Sequence, residues 1–440
     1  MLRRILVSAA VSVSLLLGFD AAAQNGTFSS YAPYSAFGVG DLNNQGNAYN
    51  KSMGGVGIAA RNHKYINPLN PASITARDSL SVMADVSLFY THKLFEQDGN
   101  YDIRDLFNIG SFAVTLPIYK SLTFVIGLNP FSNLGYSYAT IEDRNEIIGR
   151  LGNVAYTNYG QGSIYQLYGG LAASFWDRLS VGAQYLFYFG SFEKEYSQTF
   201  SIETYSGMTD SRITRMNASS AKFGLQYEQP IGKDFTICLG GTYRLKADMN
   251  GNFQYNLYSG GSSAGVIDTE DIDLKTTNPR VNIASEWGAG LSVNYADKLA
   301  FEFDYTRSDW TGSAFDKNKG FSLVTIDGTE FTPSVAQSMR AGMEWTPNRN
   351  DVRYYFKRAT YRFGAYYNKE YYKVAGNDIN SMGITFGATL PIFRWYNGCT
   401  IAVDLGKRGS VKNNLILERY ATISLGVNLY DIWFRKPKYD

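Results

Sequence analysis

Apolar and polar residues alternate with period two through most of the chain between residues 79 and 430. In the first such run Leu80, Val82, Ala84, Val86, Leu88 and Tyr90 share one face, and Ser81, Asp85 and Ser87 share the other. Successive strand side chains point to opposite sides, so this run forms a strand with one greasy and one wet surface. Phe112, Val114, Leu116 and Ile118 repeat the pattern, as do Trp287, Ala289, Leu291, Val293 and Tyr295, and again Ala421, Ile423, Leu425, Val427 and Leu429. Fourteen runs emerge, at 79–92, 109–119, 121–137, 161–176, 178–195, 212–228, 233–248, 280–295, 298–310, 333–346, 352–368, 379–392, 398–407 and 413–430. Many exceed the roughly 3–10 residues of soluble strands. They reach the roughly 9–11 residues that cross a bilayer at a tilt.

The spacing of the runs predicts tight turns at one end of the sheet, joining strands 2–3, 4–5, 6–7, 8–9, 10–11 and 12–13. It predicts long polar connections at the other end, such as 138–160, 246–279 and 311–332. Short periplasmic turns and long outer loops mark an all-β fold, a transmembrane antiparallel β-barrel of about 14 strands. A soluble β-sandwich would bury its aromatic faces between two sheets and would not alternate its loops in this way. Composition agrees with strands: 34 Tyr, 27 Phe and 43 Gly stand against 11 Pro. A net charge of +2 provides no basic face for nucleic acid. Two Cys and two His leave too little for a metal centre or a disulfide framework. No cofactor is expected. With only His63 and His92 and no Ser/His/Asp constellation, neither is catalysis.

Met1 to Ala23 reads as a secretory signal: Arg3 and Arg4 precede an apolar run that ends in Ala21-Ala22-Ala23. Residues 24–78 show little strand pattern and are rich in Gly and Asn. Fourteen strands enclose a lumen wider than side chains alone fill. This segment has little core of its own, so the expectation is an N-terminal hatch folded into that lumen, with a separate periplasmic domain as the alternative. Residues 79–430 form the barrel and 431–440 a periplasmic tail.

The inward faces carry Asp85, Lys222, Arg244, Glu286, Glu302, Asp304, Arg340, Glu344, Arg358, Arg362 and Asp404. Unpaired charges in a narrow space are costly, so these groups are expected to pair with one another or to hold the hatch backbone. A slip of one residue in register would turn them all towards lipid.

Two patches carry a resemblance. Gly54, Gly55 and Gly57 open one of them, followed by Asn67-Pro68-Leu69-Asn70-Pro71-Ala72 just before strand 1. In strand 3, Gly127-Leu128-Asn129-Pro130-Phe131-Ser132 forms the other. Together they resemble the hatch and the kinked strand of the FadL/TodX long-chain fatty acid transporter family. That resemblance implies passive passage of hydrophobic or amphipathic small molecules through a hatch-gated lumen, with a lateral opening at the strand-3 kink. An ordinary bulge at Pro130 is the structural alternative to an opening, since proline breaks a ladder wherever it sits. Asn70-Pro71 reads equally as a gate element or as a rigid turn. The long loops are polar, for example Asp143-Arg144-Asn145-Glu146, unlike the apolar capture surface of the family. PorV-type barrels, a related branch, serve protein secretion without small-molecule cargo. The expected partners are therefore outer-membrane lipid and lipopolysaccharide, a hydrophobic cargo, and alternatively a secretion-system or envelope protein.

Overall fold

The computed structural model describes residues 30–433 apart from 79, 120, 177, 203, 260–264, 319–320, 322–330 and 393–397. The expected signal segment, and the tail from residue 434 onward, lie outside the described residues.

Fourteen antiparallel strands form the wall: β1 (Ser81–Gln97), β2 (Asn100–Tyr119), β3 (Leu122–Ile141), β4 (Val154–Phe175), β5 (Leu179–Phe200), β6 (Met208–Ile231), β7 (Phe235–Arg244), β8 (Glu286–Tyr295), β9 (Leu299–Asp309), β10 (Val335–Trp345), β11 (Thr360–Val374), β12 (Asn377–Pro391), β13 (Gly398–Gly409) and β14 (Leu417–Ile432). Each pairs with its neighbour in sequence. β14 then pairs with β1 from Leu417↔Glu96 to Ile432↔Ser81 and closes the barrel. This closure leaves the wall with no first or last strand edge, which is what a sheet in lipid requires.

The outer surface is greasy. Ile126, Leu171, Phe223, Leu239, Phe301, Phe363, Ile384 and Leu425 are all exposed and all point outward. The opposite phase is buried and polar: Thr123, Gln184, Arg244, Glu302 and Arg362 point into the bore. A soluble protein would reverse this arrangement. A belt of exposed apolar side chains around a closed, polar-lined cylinder makes the chain an outer-membrane barrel. No described helix is long and apolar enough to cross a membrane.

The wall is uneven in height. β2 to β6 run for 20 to 24 residues, whereas β7 to β10 run for 10 or 11. The upper half of β6 outlasts β7 and pairs instead with Ala247–Ser259, from Met208↔Ser259 to Ala218↔Met249. That strand turns back as Gly265–Asp273, so a hairpin stands on the outer end of the barrel.

Three connections differ from the sequence expectation. β1 and β2 are joined by the two-residue turn Asp98-Gly99, and β11 and β12 by Ala375-Gly376, with all four residues at positive φ. Both are the tight hairpin turns that suit twisted strands. The polar stretches read as long loops are therefore strand that continues above the lipid, where an outward face has no need to be apolar. Conversely, the β10–β11 connection is long, residues 346–359. Arg358 consequently lies in a 3-10 turn (Tyr355–Arg358) and not on an inward strand face.

Candidate functional site

The bore is occupied. Residues from Ser30 to Arg77 are largely buried, and their hydrogen-bond partners are the inward faces of the wall. The sequence makes room for them with glycine. A Cβ on Gly364 would meet the Gly54 nitrogen at 2.2 Å, and one on Gly224 would meet the Asn70 side-chain oxygen at 2.1 Å. Backbone lies directly on backbone at Gly364, and the Asn70 side chain and Pro71 ring lie directly on the Gly224 backbone.

Within the segment the asparagines shape the chain. Asn47 and Asn50 cap each other around the short helix Ala48–Lys51. The Asn67 side chain donates to the Gly57 carbonyl at 2.6 Å, and that of Asn70 donates to the Ile58 carbonyl at 2.7 Å. The Asn70 oxygen accepts from the Ala72 amide at 3.0 Å, which starts the 3-10 helix Pro71–Ala76. Pro68 lies beside the central cavity described below.

The wall grips this chain through its inward polar groups. One Asp304 carboxylate oxygen accepts from the Gly57 and Ile58 amides at 2.7 and 2.9 Å. Arg340 donates to the Gly55 carbonyl at 3.2 Å and to the Asn44 side chain. The Gly54 amide donates to Thr385 Oγ1 at 2.7 Å. Arg362 donates to Glu344 at 2.8 Å and lies 4.3 Å over the Tyr49 ring, which stacks on Tyr65. Arg244 faces Glu286 at 3.7 Å, and Tyr366 donates to Asp404 at 2.9 Å. Asp85 and Glu302 are buried on the same inner surface, Asp85 beside Asn47. Lys222 lines the cavity together with Arg244, Glu286 and Asp304.

Other gripping residues escaped the sequence reading. Arg61 pairs with Glu228 at 2.6 Å, and Arg77 donates to Thr123 at 2.7 Å. Arg408 joins Asp41 to Glu418, the latter at 2.7 Å. Arg408 lies one residue beyond the strand end drawn from the sequence, and Asp41 lies in a stretch without periodicity.

Above these contacts, towards the outer end, the bore is closed by a solid aromatic core. Tyr136, Tyr188, Phe192, Phe253, Trp310, Phe315, Tyr371 and Tyr372 are at most 1% exposed, and Tyr34, Phe37 and Val39 pack among them. Below it a cavity of about 210 Å³ remains, with a mixed lining that includes Asn129 and Phe131 of β3, Leu69 and Leu186, and the charged Lys222, Arg244, Glu286 and Asp304.

The wall is discontinuous beside this cavity. The β2–β3 ladder runs only from Tyr119↔Leu122 to Phe112↔Leu128. Above it β2 stays paired with β1 up to Gln97↔Asn100, and β3 stays paired with β4 up to Ile141↔Ala155. The register of β3 shifts between Pro130 and Ser132. With no amide hydrogen at Pro130 and an extra residue at Phe131, the strand twists away from β2. Gly127 lies at the last rungs of the β2 ladder, opposite Ala113.

The N-terminal segment takes the freed edge of β3. Asp41 and Leu42 pair with Asn133 and Ser132. The Asn43 amide donates to the Phe131 carbonyl at 2.9 Å, and the Ala32 amide to the Gly135 carbonyl at 2.8 Å. Gln45 bonds both the Asn129 side chain and the Pro130 carbonyl. Tyr31 bridges the gap. Its hydroxyl donates to the Ser137 carbonyl of β3 at 2.7 Å, while its ring packs on Phe95 of β1 and Leu106 of β2.

The sequence matches the family model described as BamG over residues 1–440. No curated protein matches it. Among solved structures, the CymD monoaromatic hydrocarbon channel superposes with a TM-score of 0.59 at 15% identity, covering 87% of this chain and 97% of that one. The Pseudomonas putida toluene transporter TodX gives 0.58 at 13% identity, covering 89% and 99%. A Pseudomonas aeruginosa FadL homologue gives 0.56 at 13% identity, again covering 89% and 99%. At these identities the likeness is one of fold.

Proposed function

The chain belongs to the BamG family, and we propose that it lets hydrophobic or amphipathic small molecules cross the outer membrane passively, by a lateral route between β2 and β3. In this reading the N-terminal segment is a hatch, and its Tyr31–Gln45 portion is the door. The observation that carries the proposal is the interrupted ladder above Leu128, whose free edge is occupied by residues 41–42 and not by β2. Backbone groups at such a seam can exchange partners without breaking the rest of the wall. Swinging Asp41 and Leu42 away from β3 would join the cavity behind Asn129 to the surrounding lipid. The solved structures of similar fold include hydrocarbon channels, which supports this class of solute. The charged cavity lining favours amphipathic molecules over pure hydrocarbons. Gly54, Gly55, Gly57 and Asn67 to Ala72 serve in this scheme as the fixed base of the hatch, clamped by Asp304, Arg340 and Thr385.

The test is a reversible lock. Leu42 and Ser132 are directly paired, so L42C/S132C places two thiols across the door. Cells producing the oxidised variant should take up a labelled fatty acid or toluene no faster than cells without the protein, and reductant should restore the rate. Equal uptake by the locked and the reduced protein overturns the lateral route.

A second reading, an accessory barrel for an envelope protein assembly, is favoured by one observation. The outer-end strand Gly265–Asp273 is exposed along nearly its whole length and carries Asp268, Glu270, Asp271 and Asp273. D268N/E270Q/D271N/D273N would release a protein partner in this reading and leave solute uptake unchanged, since these side chains lie on the exposed strand and not in the core.

A further inference from the structure

The connection 346–359 stands apart from its neighbours at the periplasmic end of the barrel. The β8–β9 turn spans residues 296–298 and the β6–β7 turn residues 232–234. The longer connection is nevertheless ordered by its own bonds. Thr346 donates to the Lys298 carbonyl at 2.8 Å, and Asn348 to the Lys357 carbonyl at 2.9 Å. The Asp351 carboxylate caps a turn by accepting from the Arg353 and Tyr354 amides at 2.9 and 2.7 Å.

Its position is fixed from outside the bore. Tyr361 shares the outward phase of β11 with Phe363, and its ring lies 5.9 Å from that of Trp345, itself 46% exposed. The Tyr361 hydroxyl donates to the Phe356 carbonyl at 3.1 Å. Tyr355 donates to the Pro391 carbonyl at the end of β12 at 2.8 Å. The Tyr355–Arg358 turn is thereby folded against the lipid side of the wall, at the lower rim of the apolar belt.

At that level its composition is unusual. Val352 is 95% exposed and Phe356 70% exposed, two apolar side chains with nothing over them. Interleaved with them are Arg353, Lys357 and Arg358, whose charges lie 4.5 to 5.3 Å over the Tyr354 and Tyr355 rings. The neighbouring acid Asp351 is engaged by the backbone amides and by Lys357 at 3.7 Å. Exposed aliphatic and aromatic groups beside a cluster of cations are what an anionic membrane interface attracts: the apolar tips enter the acyl boundary and the cations meet phosphates.

We propose that residues 352–358 form a foot that binds anionic phospholipid in the periplasmic leaflet, with Val352 and Phe356 inserted and Arg353, Lys357 and Arg358 on the headgroups. The foot anchors the base of β10–β12, the sector whose inner face holds Gly54 through Thr385 and Gly55 through Arg340. This inference does not rest on solute transport and stands if that reading fails.

Native mass spectrometry of the full-length protein in detergent, with phosphatidylglycerol and phosphatidylcholine of identical chains added in equal amounts, tests it. The wild type should retain phosphatidylglycerol preferentially. R353Q/K357Q/R358Q should lower that preference by roughly tenfold or more, the scale of several lost cation–headgroup contacts. V352S/F356S should weaken retention of both lipids while keeping their ratio. Unshifted heat-modifiable migration of each variant shows that the barrel is intact. No preference in the wild type, or an unchanged preference in the triple variant, overturns the proposal. So does release of a co-purifying envelope protein by the triple variant with lipid retention unaltered, since the foot would then dock protein.

Discussion

Tyr31 makes a contact that no other described side chain replaces: a hydroxyl on β3 and a ring on β1 and β2, across the one place where those strands part company. Tyr31→Phe keeps the ring and removes a partly buried hydrogen bond, a loss of about 1 kcal/mol. Tyr31→Ala removes the ring from Phe95 and Leu106 as well, a loss of about 3 kcal/mol. The amides of Ala32 and Asn43, which are bonded to β3, should exchange with solvent about fivefold faster in the first variant and over a hundredfold faster in the second. Exchange elsewhere in β3 below Leu128 should not change. If both variants protect those amides as well as the wild type does, Tyr31 is not what holds the seam. Arg362 shows the opposite economy. It is fully buried among Glu344, Thr389 and the Tyr49 ring. Arg362→Met leaves Glu344 as an uncompensated charge, which costs about 3–5 kcal/mol. The temperature at which the folded band disappears in unboiled electrophoresis should fall accordingly.

At the scale of elements, the packing of segment on wall makes a paired prediction. A Cβ at Gly364 would fall 2.2 Å from the Gly54 backbone, whereas one at Gly169 meets nothing nearer than the Val125 carbonyl at 3.9 Å. Gly364→Ala should destabilise by about 1–3 kcal/mol through overpacking, while Gly169→Ala should be neutral in the same unfolding measurement. The same elements show what the sequence made legible. Strands were readable wherever their two faces meet different solvents, as in Trp287 to Tyr295 with lipid outside and the filled bore inside. That contrast sufficed to number all fourteen strands and to phase the inward charges from Asp85 to Asp404 with the exception of Arg358, which falls in the 3-10 turn. It fades above the lipid, so the alternation marks the first strand only to residue 92 and the second only from 109, although the chain pairs through to the Asp98-Gly99 turn. Asp-Gly between two runs is the strongest short hairpin signal there is, and it outweighed the loss of alternation. The error at 352–358 has the converse cause. Tyr354, Tyr355 and Phe356 have strand-like composition, but Asp351 captures two successive amides and bends the chain into a turn. The fit of residues 30–78 into the bore left only weaker traces, its asparagines and the wall glycines, because the contacts that fix it join residues hundreds of positions apart.

For the molecule as a whole, the question is which part keeps the bore shut. The wall closes through the β14–β1 ladder and needs nothing from residues 30–78 to do so. Those residues fill much of the space that fourteen strands enclose, and they supply Tyr34, Phe37 and Val39 to the aromatic core at the outer end. Removing residues 30–78 while retaining residues 1–29 should therefore give a barrel that still inserts and still resists heat in detergent, but less so than the parent. Asp304 and Arg340 would lose their hydrogen-bond partners in the segment and Arg362 the Tyr49 ring, and all three would face water, a surface suited to hydrated ions and not to a dry interior. Such a barrel should conduct salt steadily in a planar bilayer, and the intact protein should not. It should also render cells sensitive to polar antibiotics too large for ordinary porins. A deletion variant that folds, inserts and remains non-conducting would place the seal in the wall's own side chains, with Tyr136, Tyr188, Trp310 and Tyr371 collapsing into the vacated bore. The N-terminal segment would then be a passenger in the barrel, and the seam between β2 and β3 would need another account.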